Sequence, residues 1–592
     1  MRRVIYFLLL LTFAAEGFAG IYPVSNTNDG GIGSFRDALN FANLNPGRDT
    51  IFFGLPGSGP FVIQPLSPYP PLTDQAGVFI DGFSQPGAFA GAAPPYTAKL
   101  LIGLDGSIAG FCNGLEIISS GNTVQGLVIC KFSMDGIRIV AHMPPTAGNV
   151  IFCNFIGTDF SGAMAKPNGS PGVTPYAGVY IRPSAQCTGI ANDNIIDANL
   201  ISANLGDGVA ISSCPPNTDV FLNQITRNVI GADISGMQPL GNHHAGVYLG
   251  EGTHDNLVAH NLVCDNDYEG VSIIGYYQQG GPAWSTRLNH VVNNSIGLAA
   301  DGSSPLGNAR DGLGIGVWGP QWKLGYADHN DAKGNTIAFN SMNGILVWEN
   351  PVNAANADFN QFSQNSIYAN ALHGIDLNGE GVTLNDPGDS DAEANEEINF
   401  PVITSAILAE GSAAVSGTLD IGAVPVLCTV EVFLAESFPA YPGYGQGKTW
   451  LGSVNPDAAG NWSINLIGLS AGDSICATAT DAAFNTSEFS ANVGVTQASF
   501  VMEAGQPETW KLSPTIPNPF QDVAAWELSL RESAWVSLRI LDLNGKELAH
   551  LYNGRLAAGR HEFVWNAEVA PGLYFLEVRG EGWGGVRKVV KR

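Results

Sequence analysis

The chain has 592 residues, too many for one ordinary domain, and this length predicts several. Only 13% of the residues are charged and 45% are hydrophobic, which excludes a disordered acidic polymer. Lys and Arg number 26 against 53 Asp and Glu, and the resulting net charge of −27 argues against nucleic acid or anionic lipid as a partner.

Residues 1–19 have the pattern of a secretory signal peptide. Arg2 and Arg3 precede a mostly aliphatic and aromatic run at 4–15, which is too short to span a bilayer. Small residues at Gly17 and Ala19 predict cleavage after Ala19. A buried N-terminal helix is the alternative. No other stretch approaches ~20 apolar residues, so we expect no membrane segment once the signal is removed.

The middle of the chain repeats one short motif: a glycine, an aliphatic residue, any residue and a second aliphatic residue. Nine copies begin at Gly114, Gly136, Gly178, Gly208, Gly246, Gly270, Gly314, Gly344 and Gly374. Each copy predicts a short strand in which inward and outward residues alternate. Asn residues precede apolar pairs between the copies, and we expect these Asn residues and the motif glycines to lie at bends that need positive φ. The shortest intervals, from Gly114 to Gly136 and from Gly246 to Gly270, have the length of one coil of a parallel β-helix. In such a helix, Asn at equivalent corners can form ladders.

Three of the longer intervals between copies contain a related insert. The inserts begin at Ile156, Ile230 and Ile296, and the first two read Ile-Gly-Thr-Asp and Ile-Gly-Ala-Asp. Because long and short intervals alternate, we expect the inserts at the same corner of every second coil, roughly 10 Å apart. A row of exposed loops on a rigid solenoid predicts a binding surface. The alternative is that the loops only decorate a turn.

The glycine and asparagine repeats, together with the inserts, resemble secreted bacterial right-handed parallel β-helix proteins of the pectin lyase-like fold. The resemblance covers residues 22–400 and includes a lead-in at 31–39. In that lead-in, Ser34 with Asp37 looks like a capping box. One apolar helix face is formed by Phe35, Ala38, Leu39 and Ala42. Such a helix would cover the open end of the solenoid. We therefore predict an N-terminal cap with the first coils at 20–110 and the β-helix proper at 111–398.

An acidic run at 385–397 follows the repeats. Carboxylate oxygens are the ligands that Ca²⁺ prefers, and four residues of the run could supply them, namely Asp386, Asp389, Asp391 and Glu393. The spacing of an EF-hand loop is not met. A solvated linker between domains is the alternative to a calcium site.

Residues 399–497 contain short alternating strands separated by turns, which predicts a small β-sandwich. The end of this segment, 477–488, resembles the immunoglobulin-like module that follows the helix in the same secreted proteins. Cys428 and Cys476 lie on two of its strands, and we expect a disulfide across the sandwich. The interval between Cys130 and Cys153 has the length of one bare coil, so we expect them to be neighbours, either bridged or stacked as reduced thiols.

After a linker at 498–511, residues 512–592 predict a second β-sandwich with a basic end. This segment resembles the C-terminal sorting domain of the type IX secretion system. Four features carry the resemblance: the Pro-Asn-Pro-Phe start at Pro517, the Asn544-Gly turn, the Pro571-Gly-Leu-Tyr strand and the basic tail. The resemblance implies export through the periplasm by that machinery to the outer cell surface or the medium; an ordinary adhesion module is the alternative. The fold class is therefore all-β, a right-handed parallel β-helix followed by two small β-sandwich domains.

The sequence identifies no catalytic site. The paired Asp and Gly-His-Gly motifs of pectin hydrolases are missing, and Asp376, on the same coil as His373, occupies the outward strand position. Outward aromatic rings stack on sugars, and four tryptophans cluster in the later coils: Trp284, Trp318, Trp322 and Trp348. These features favour a non-catalytic glycan-binding or adhesive surface protein. A polysaccharide lyase or glycoside hydrolase acting on an acidic glycan is the alternative.

Overall fold

The computed structural model describes residues 19–91, 97–172, 176–276, 284–318, 325–349, 357–409, 411–422, 425–436, 443–498 and 509–592. Of the predicted signal peptide, only Ala19 lies within this part of the chain. The chain divides into two units, Met1–Gln497 and Ala498–Arg592. None of the helices in the described residues has the length and apolar character that crossing a bilayer requires.

Three long parallel sheets form the walls of a β-helix in the first unit. The first sheet consists of Ile21–Val24, Asp49–Phe53, Val78–Asp81, Thr123–Gln125, Val150–Phe152, Ile195–Asp197, Gln224–Thr226, Leu257–Ala259, His290–Val292, Asp331–Lys333 and Gln361–Ser363. The second consists of Phe61–Ile63, Ile102–Asp105, Leu127–Cys130, Phe155–Ile156, Leu200–Ile201, Val229–Ile230, Leu262–Val263, Ser295–Ile296, Thr336–Ala338 and Ser366–Tyr368. The third consists of Leu115–Ile117, Ile137–Val140, Ala177–Arg182, Asp207–Ser212, Val247–Gly250, Val271–Tyr276, Leu313–Trp318, Ile345–Trp348 and Ile375–Leu377.

Two small parallel sheets add to these walls. One joins Thr146–Ala147, Gly189–Asn192 and Thr218–Phe221, and the other joins Trp284–Ser285 to Gly325–Tyr326. Short 3₁₀ turns occur at Gly82–Ser84, Ala394–Glu397 and Pro425–Leu427.

The nine copies of the glycine motif correspond to the nine strands of the third sheet, which confirms the predicted solenoid. The aliphatic residues point inward, and Ile137 and Ile139, for example, are 0% exposed. The seventh copy begins at Gly312 rather than Gly314, because Val271 pairs with Leu313 in the adjacent strand. A shift by an even number of positions leaves the inward and outward faces unchanged, so the sequence pattern alone does not distinguish the two registers.

Close approach between coils, rather than positive φ, explains the repeat glycines. A Cβ on Gly208 would lie 2.6 Å from the carbonyl oxygen of Gly246 in the next coil. The expectation of positive φ at these bends is wrong for both the repeat glycines and the ladder asparagines. Positive φ instead falls on corner residues just before the asparagines, such as Ala198, Arg227 and His260.

Three ladders of asparagine side chains run along the stack, as the sequence predicts. In each ladder the Nδ2 atom donates to the Oδ1 atom of the next coil, over N···O distances of 2.8 to 3.1 Å. The three ladders comprise Asn122, Asn149, Asn194, Asn223, Asn256, Asn289, Asn330 and Asn360; Asn154, Asn199, Asn228, Asn261, Asn294, Asn335 and Asn365; and Asn168, Asn204, Asn242, Asn266, Asn308, Asn340 and Asn370. These side chains are buried, so the paired amides satisfy one another where water does not reach.

The predicted cap helix covers the N-terminal end. It spans Phe35–Leu44, and the Ser34 side chain accepts a hydrogen bond from the Asp37 backbone N–H. Its buried residues are the four that the sequence places on one face: Phe35, Ala38, Leu39 and Ala42. The helix therefore buries its apolar stripe against the first coils.

A β-sandwich covers the C-terminal end of the helix. One sheet contains Asn461–Ile467, Ser412–Thr418, Val402–Ala409 and Thr496–Gln497, and the other contains Gln446–Val454, Thr429–Glu436, Ser474–Thr480 and Val493–Gly494. The two sheets share one core that includes Val415 and Val430. Phe433 and Phe489 instead join the core of the β-helix, and the Phe489 ring lies against Gly374. The sandwich therefore plugs the open end of the solenoid.

Cys130, Cys153, Cys428 and Cys476 are buried thiols, so neither candidate pair is bridged. Val124 pairs with Ile151 in the next coil, so one coil at this point is longer than the interval from Cys130 to Cys153. In the sandwich Cys476 pairs with Phe433, well along the strand that follows Cys428, and the two cysteines are therefore out of register. Burial raises the pKa of the Cys130 thiol to about 12, as expected for an unreactive core thiol.

The disulfide in the described structure joins Cys187 to Cys214, with a Cα–Cα distance of 5.4 Å. The two residues follow Ala177–Arg182 and Asp207–Ser212, which are adjacent strands of the third sheet. The bridge therefore ties two neighbouring coils together. This disulfide could have been predicted from the sequence, because both cysteines come shortly after consecutive copies of the glycine motif.

The second unit is a separate β-sandwich with its own core. One sheet contains Trp510–Leu512, Val523–Leu530 and Gly559–Asn566, and the other contains Glu547–Leu556, Ala534–Leu541, Gly572–Gly580 and Trp583–Lys591. The first strand starts at Trp510, slightly before the predicted boundary at 512. Buried Trp526, Leu538 and Val578 belong to this core.

Candidate functional site

The outer face of the third sheet combines aromatic and charged side chains on a regular strand lattice. We call this surface the outer face. It consists of one row, Arg138, Tyr180, Ala210, Tyr248, Ser272, Gly314, Leu346 and Asp376, and a second row two positions further along each strand, Arg182, Ser212, Gly250, Ile274, Gly316 and Trp348. Because the strands pair in register, each row forms a straight line across neighbouring coils with ~4.8 Å between strands.

Glycines allow two aromatic rings to lie on the backbone of the outer face. A Cβ on Gly316 would lie 2.2 Å from the Trp348 ring, and one on Gly314 would lie 3.2 Å from it. Likewise, a Cβ on Gly250 would lie 2.2 Å from the Tyr248 hydroxyl. Trp348 and Tyr248 are both half-buried. The two rings are thus packed on the sheet while part of each ring remains accessible to solvent.

A polar group surrounds Tyr180 on the same face. The Tyr180 hydroxyl shares a 2.9 Å hydrogen bond with the Ser212 hydroxyl, and the Arg182 guanidinium lies 5.0 Å from the Tyr180 ring centroid. Burial raises the pKa of the Glu251 carboxyl, although the Arg182 charge and a hydrogen bond from Ser212 oppose this effect. Glu251 is therefore a carboxyl group with increased proton affinity, next to an arginine and a tyrosine.

A second polar group lies at the entrance to the third-sheet strands. The ring of Tyr268 lies 4.1 Å from that of His244 and 4.0 Å from the Arg310 guanidinium carbon. His244 Nδ1 hydrogen-bonds Asp207 Oδ1 at 2.6 Å. Burial lowers the pKa of His244, but the hydrogen bond and charge of Asp207 outweigh burial, so that the pKa is raised. Arg310 also pairs with the buried Glu269 at 3.5 Å.

The acids at the C-terminal end of the outer face are covered. Asp376 is 3% exposed and Asp311 is 2% exposed, and burial raises the pKa of each to about 6. The Asn343 backbone N–H donates to Asp311 Oδ1 at 2.8 Å, and hydrogen bonds from the Asn343 side chain oppose the rise in the pKa of both carboxyls. His373 is 8% exposed, and burial lowers its pKa. The outward register predicted for Asp376 is confirmed by its pairing with Leu346, but the carboxylate is not open to solvent.

The described structure includes the side chain of one of the four predicted glycan-contact tryptophans, Trp348. Trp348 lies on the outer face, as described above. Trp284 and Trp318 lie in the strands Trp284–Ser285 and Leu313–Trp318, and their side chains are outside the described part of the chain. Trp322 itself is outside the described residues. Of the four tryptophans, Trp348 is therefore the one whose contacts can be compared with the predicted role in glycan binding.

The three predicted inserts form a row of hairpins. Their first residues, Ile156, Ile230 and Ile296, end alternate strands of the second sheet, which confirms the expected spacing of two coils. Each insert closes through an antiparallel bridge, Thr158 with Ala165, Ala232 with Pro239 and Leu298 with Pro305. Neighbouring hairpins are hydrogen-bonded directly: Ile234 N donates to Gly162 O, and Ala300 N donates to Gly236 O, both at 2.9 Å.

A groove of about 350 Å³ lies beside the third hairpin. The hydrogen bonds between hairpins align Phe160, Ile234 and Ala300, and the first two pack on the apolar patch outside the second sheet. Because Ala300 is much smaller, less of this surface is covered at the third hairpin. Arg227, His260, Asn293, Leu262, Ser295 and Gly302 are among the residues that line the groove.

Three carboxyls of the acidic run lie near one another, since burial and the charges of Asp386 and Asp391 raise the pKa of Asp389 to about 6. Asp386 accepts a hydrogen bond from the Ser390 hydroxyl, Asp389 from the Asn399 backbone and Glu393 from the Asn378 side chain. Within the described ranges, no group of three or more His, Cys, Asp or Glu side chains could hold a metal ion. Calcium binding by Asp386, Asp389, Asp391 and Glu393 stays a prediction.

The sequence matches no family model. Among solved structures, ORF18 of Geobacillus virus E2 is 13% identical, with 80% of this chain and 76% of that chain covered and a TM-score of 0.31. Endopolygalacturonase I from Stereum purpureum, complexed with two galacturonates, is 13% identical over 59% of this chain and 97% of its own, with a TM-score of 0.25. The tailspike protein of E. coli bacteriophage HK620, in complex with a pentasaccharide, is 10% identical over 75% and 88%, with a TM-score of 0.15. Similarities this low carry no functional argument.

The sequence patterns do not indicate the groups around Tyr180 and Tyr268. Tyr180 and Tyr248 occupy the variable position of the glycine motif, so their outward direction could have been predicted. The approach of Glu251 and Arg310 to these rings could not, because both residues lie in loops whose path depends on the packing of adjacent coils.

Proposed function

We propose that this protein is a secreted or cell-surface β-helix that binds a glycan along its outer face and acts as an adhesive protein without cleaving the glycan. The carrying observation is the half-buried Trp348 ring, which lies over the backbone of Gly314 and Gly316 and remains partly accessible to solvent. Flat aromatic rings present a large apolar surface at low entropic cost, and this surface suits the faces of sugar rings. Tyr248 extends the same surface two strands away from Gly314.

The polar side chains beside the rings support recognition of hydroxyl and carboxylate groups. Arg182 and Arg310 are half-buried and each lies over a tyrosine ring, which restricts the guanidinium group. A restricted guanidinium can donate paired hydrogen bonds to an acidic sugar. Because the strands beneath are rigid, little side-chain order has to be gained on binding.

Burial of the acids supports the non-catalytic part of the proposal. Inverting hydrolysis needs two accessible carboxyl groups roughly 6.5–9.5 Å apart, one acid and one base. Asp311 and Asp376 are both nearly inaccessible. Their shared hydrogen bonds to Asn343 suit a role in holding the last coils together rather than contact with a substrate.

Binding to a panel of neutral and acidic polysaccharides tests the proposal. We expect Trp348→Ala to weaken binding to the recognised glycan at least about tenfold, as for loss of an aromatic anchor. Trp535→Ala in the second unit is the matched control, because Trp535 is 51% exposed but belongs to a different unit. Unchanged affinity of the Trp348 variant would contradict binding at the outer face.

One observation favours cleavage of an acidic glycan as the second candidate. The raised pKa of Glu251 suits a general acid, and Arg182 could hold a sugar carboxylate near it. Incubation with uronic acid polymers followed by detection of new reducing ends or unsaturated products separates the two functions. If the protein is a lyase or hydrolase, Glu251→Gln should remove the products while binding remains.

We also propose that the second unit directs export by the type IX secretion machinery after the signal peptide is removed. The support is the sequence resemblance of 512–592 together with the separate core of this unit. Arg587 and Lys588, on its last strand, are exposed and accessible to a partner. By the same resemblance, the sandwich at 399–497 is an immunoglobulin-like module.

A further inference from the structure

The cap at the N-terminal end contains an unusual buried carboxylate. Asp49 begins the strand Asp49–Phe53 and is 0% exposed. Its Oδ1 atom accepts hydrogen bonds from the backbone nitrogen of Gly20 at 2.5 Å and from Nδ2 of Asn45 at 2.8 Å. Its Oδ2 atom is buried and has no hydrogen-bond partner among the described residues.

Among the described residues, Asp49 has a second acid, Asp74, nearby and no ion-pair partner. None of the ion pairs in the described chain includes Asp49. Burial raises the pKa of nearby Asp74, and the Asp49 charge raises it further, while the Asp74 Oδ2 atom also lacks a partner. An ionised carboxylate without a counter-charge is costly to bury. The site is therefore suited to a positive group at the position of the Gly20 nitrogen.

Gly20 is held at the point where the sheet begins. Its carbonyl oxygen accepts a hydrogen bond from Thr50 N at 2.9 Å, and the next residue, Ile21, pairs with Thr50. Ala19, one residue earlier, is exposed. A Cβ on Gly20 would lie 2.6 Å from the Tyr22 hydroxyl, so a side chain here would displace Tyr22 from its stacking with Phe41 of the cap helix.

Hydrolysis between Ala19 and Gly20 would supply the missing cation. Water adds across the peptide bond, Ala19 leaves with a carboxylate, and the freed amine of Gly20 takes up a proton. An amide with one N–H group thereby becomes an ammonium with three, placed beside Asp49. The cation can donate to Oδ1 and to the unpartnered Oδ2 in a charge-assisted pair.

We propose that Asp49 is the counter-ion of the mature N-terminal ammonium of Gly20, so that removal of the signal peptide completes the N-terminal cap. This inference rests on the secretion part of the proposed function and is independent of glycan binding. It also accounts for glycine at the first mature position, because the backbone nitrogen must reach Asp49 while Tyr22 occupies the space of a side chain.

Two forms of the protein test the pair directly, one that begins at Gly20 and one that begins at Ala19, each released from a fusion partner without extra residues. Amide exchange of the strand Ile21–Val24 is the measurement. We expect exchange in the Ala19 form to be about tenfold faster or more, because its strand lacks the buried ion pair. Asp49→Asn in the Gly20 form should accelerate exchange similarly. When both forms carry Asp49→Asn, their amide exchange rates in this strand should be equal.

Asp37→Asn is the matched control, because it removes the same charge from the same cap without touching Gly20. Equal exchange of the Gly20 and Ala19 forms would overturn the proposal, as would a difference that persists in Asp49→Asn. A cation paired with an ionised carboxylate has a raised pKa, so at any pH where the carboxylate is ionised its contribution is complete below the ordinary pKa of the amine and is lost as the pH rises through the raised pKa. The advantage of the Gly20 form should therefore disappear at alkaline pH.

The mass of the mature protein from its natural host gives a second test. We expect an N-terminus at Gly20, and a different first residue would overturn the processing step. The two tests separate this inference from the proposed function. Loss of glycan binding in the Trp348 variant has no bearing on amide exchange at the cap, and a failed cap test leaves the binding experiment unaffected.

Discussion

The side chain of Gln446, in the β-sandwich, continues the third asparagine ladder of the β-helix. Asn370 Nδ2 donates to Gln446 Oε1 at 3.0 Å, as each asparagine donates to the next within the ladder. Gln446 Nε2 in turn donates to the Asn370 and Leu372 carbonyl oxygens. The sandwich thus supplies the hydrogen-bond partners that a further coil would supply to the third ladder.

Replacing Gln446 should therefore loosen the last coil. In Gln446→Ala the Asn370 backbone N–H and two carbonyl oxygens lose their Gln446 partners, while the Asn370 side-chain amide still donates to the Ile337 carbonyl. We expect the first unit to lose about 1–3 kcal/mol of stability. Amide exchange of Ser366–Tyr368 should accelerate accordingly. Gln75→Ala is the control, because Gln75 is exposed in a turn at the opposite end. Equal protection in both variants would show that Gln446 does not stabilise the ladder.

The interface between the helix and the sandwich should also depend on pH through Glu488. Its two carboxyl oxygens accept from Leu377 N and Thr383 N, both at 2.9 Å. Burial raises its pKa to about 8, and the charges of Asp376 and Glu397 add to this effect. The folded state therefore holds a proton that the unfolded chain has released, and stability should decrease as the pH rises from about 4.5 towards about 8.

Thermal unfolding over this pH range checks the prediction. Glu488→Gln should flatten the pH dependence, although its absolute stability should be lower because an NH₂ group would face a backbone N–H. Glu380→Gln, at an exposed position, should leave the dependence unchanged. A variant at Glu488 that keeps the full pH slope would assign the effect to another group.

How much the sequence predicts depends on whether a feature repeats. The inward aliphatic pairs, the asparagine ladders and the hairpin row repeat at equivalent positions, so each could be predicted from the pattern. The capping role of Gln446 and the place of Asp49 occur once each and depend on contacts between segments far apart in sequence. The Cys130–Cys153 prediction is wrong because coil length varies: the step from Val124 to its partner Ile151 is shorter than the step from Val179 to its partner Val209. Cys428 and Cys476 are instead out of register on neighbouring sandwich strands.

The repeat glycines give a third prediction. In Gly208→Ala the new Cβ would lie 2.6 Å from both the Gly246 carbonyl oxygen and the Ile230 side chain, so adjacent coils must separate. We expect a loss of about 1–3 kcal/mol, as for other overpacked sites, measured by denaturant unfolding. Gly494→Ala is the control, because a Cβ there meets nothing within 4 Å. Similar losses in both variants would mean that close approach does not explain the motif.

Removal of the second unit should block surface delivery while leaving the β-helix folded. The second unit has its own core, formed by residues such as Trp526 and Leu538, and the solenoid is closed by the cap helix and the first sandwich. A chain that ends at Gln497 should therefore fold and remain resistant to protease. Because residues 1–19 are intact, it should still leave the cytoplasm and accumulate in the periplasm.

Cell fractionation with an antibody to the β-helix measures this outcome. A matched chain carries an unrelated β-sandwich in place of 498–592, and it should also stay in the periplasm if the machinery reads the native unit rather than any folded domain. Substituting the exposed Arg587 and Lys588 with alanine in the full chain tests the basic end separately. Normal amounts of the shortened chain on the cell surface would exclude the second unit as the sorting signal and leave an adhesion module as its role.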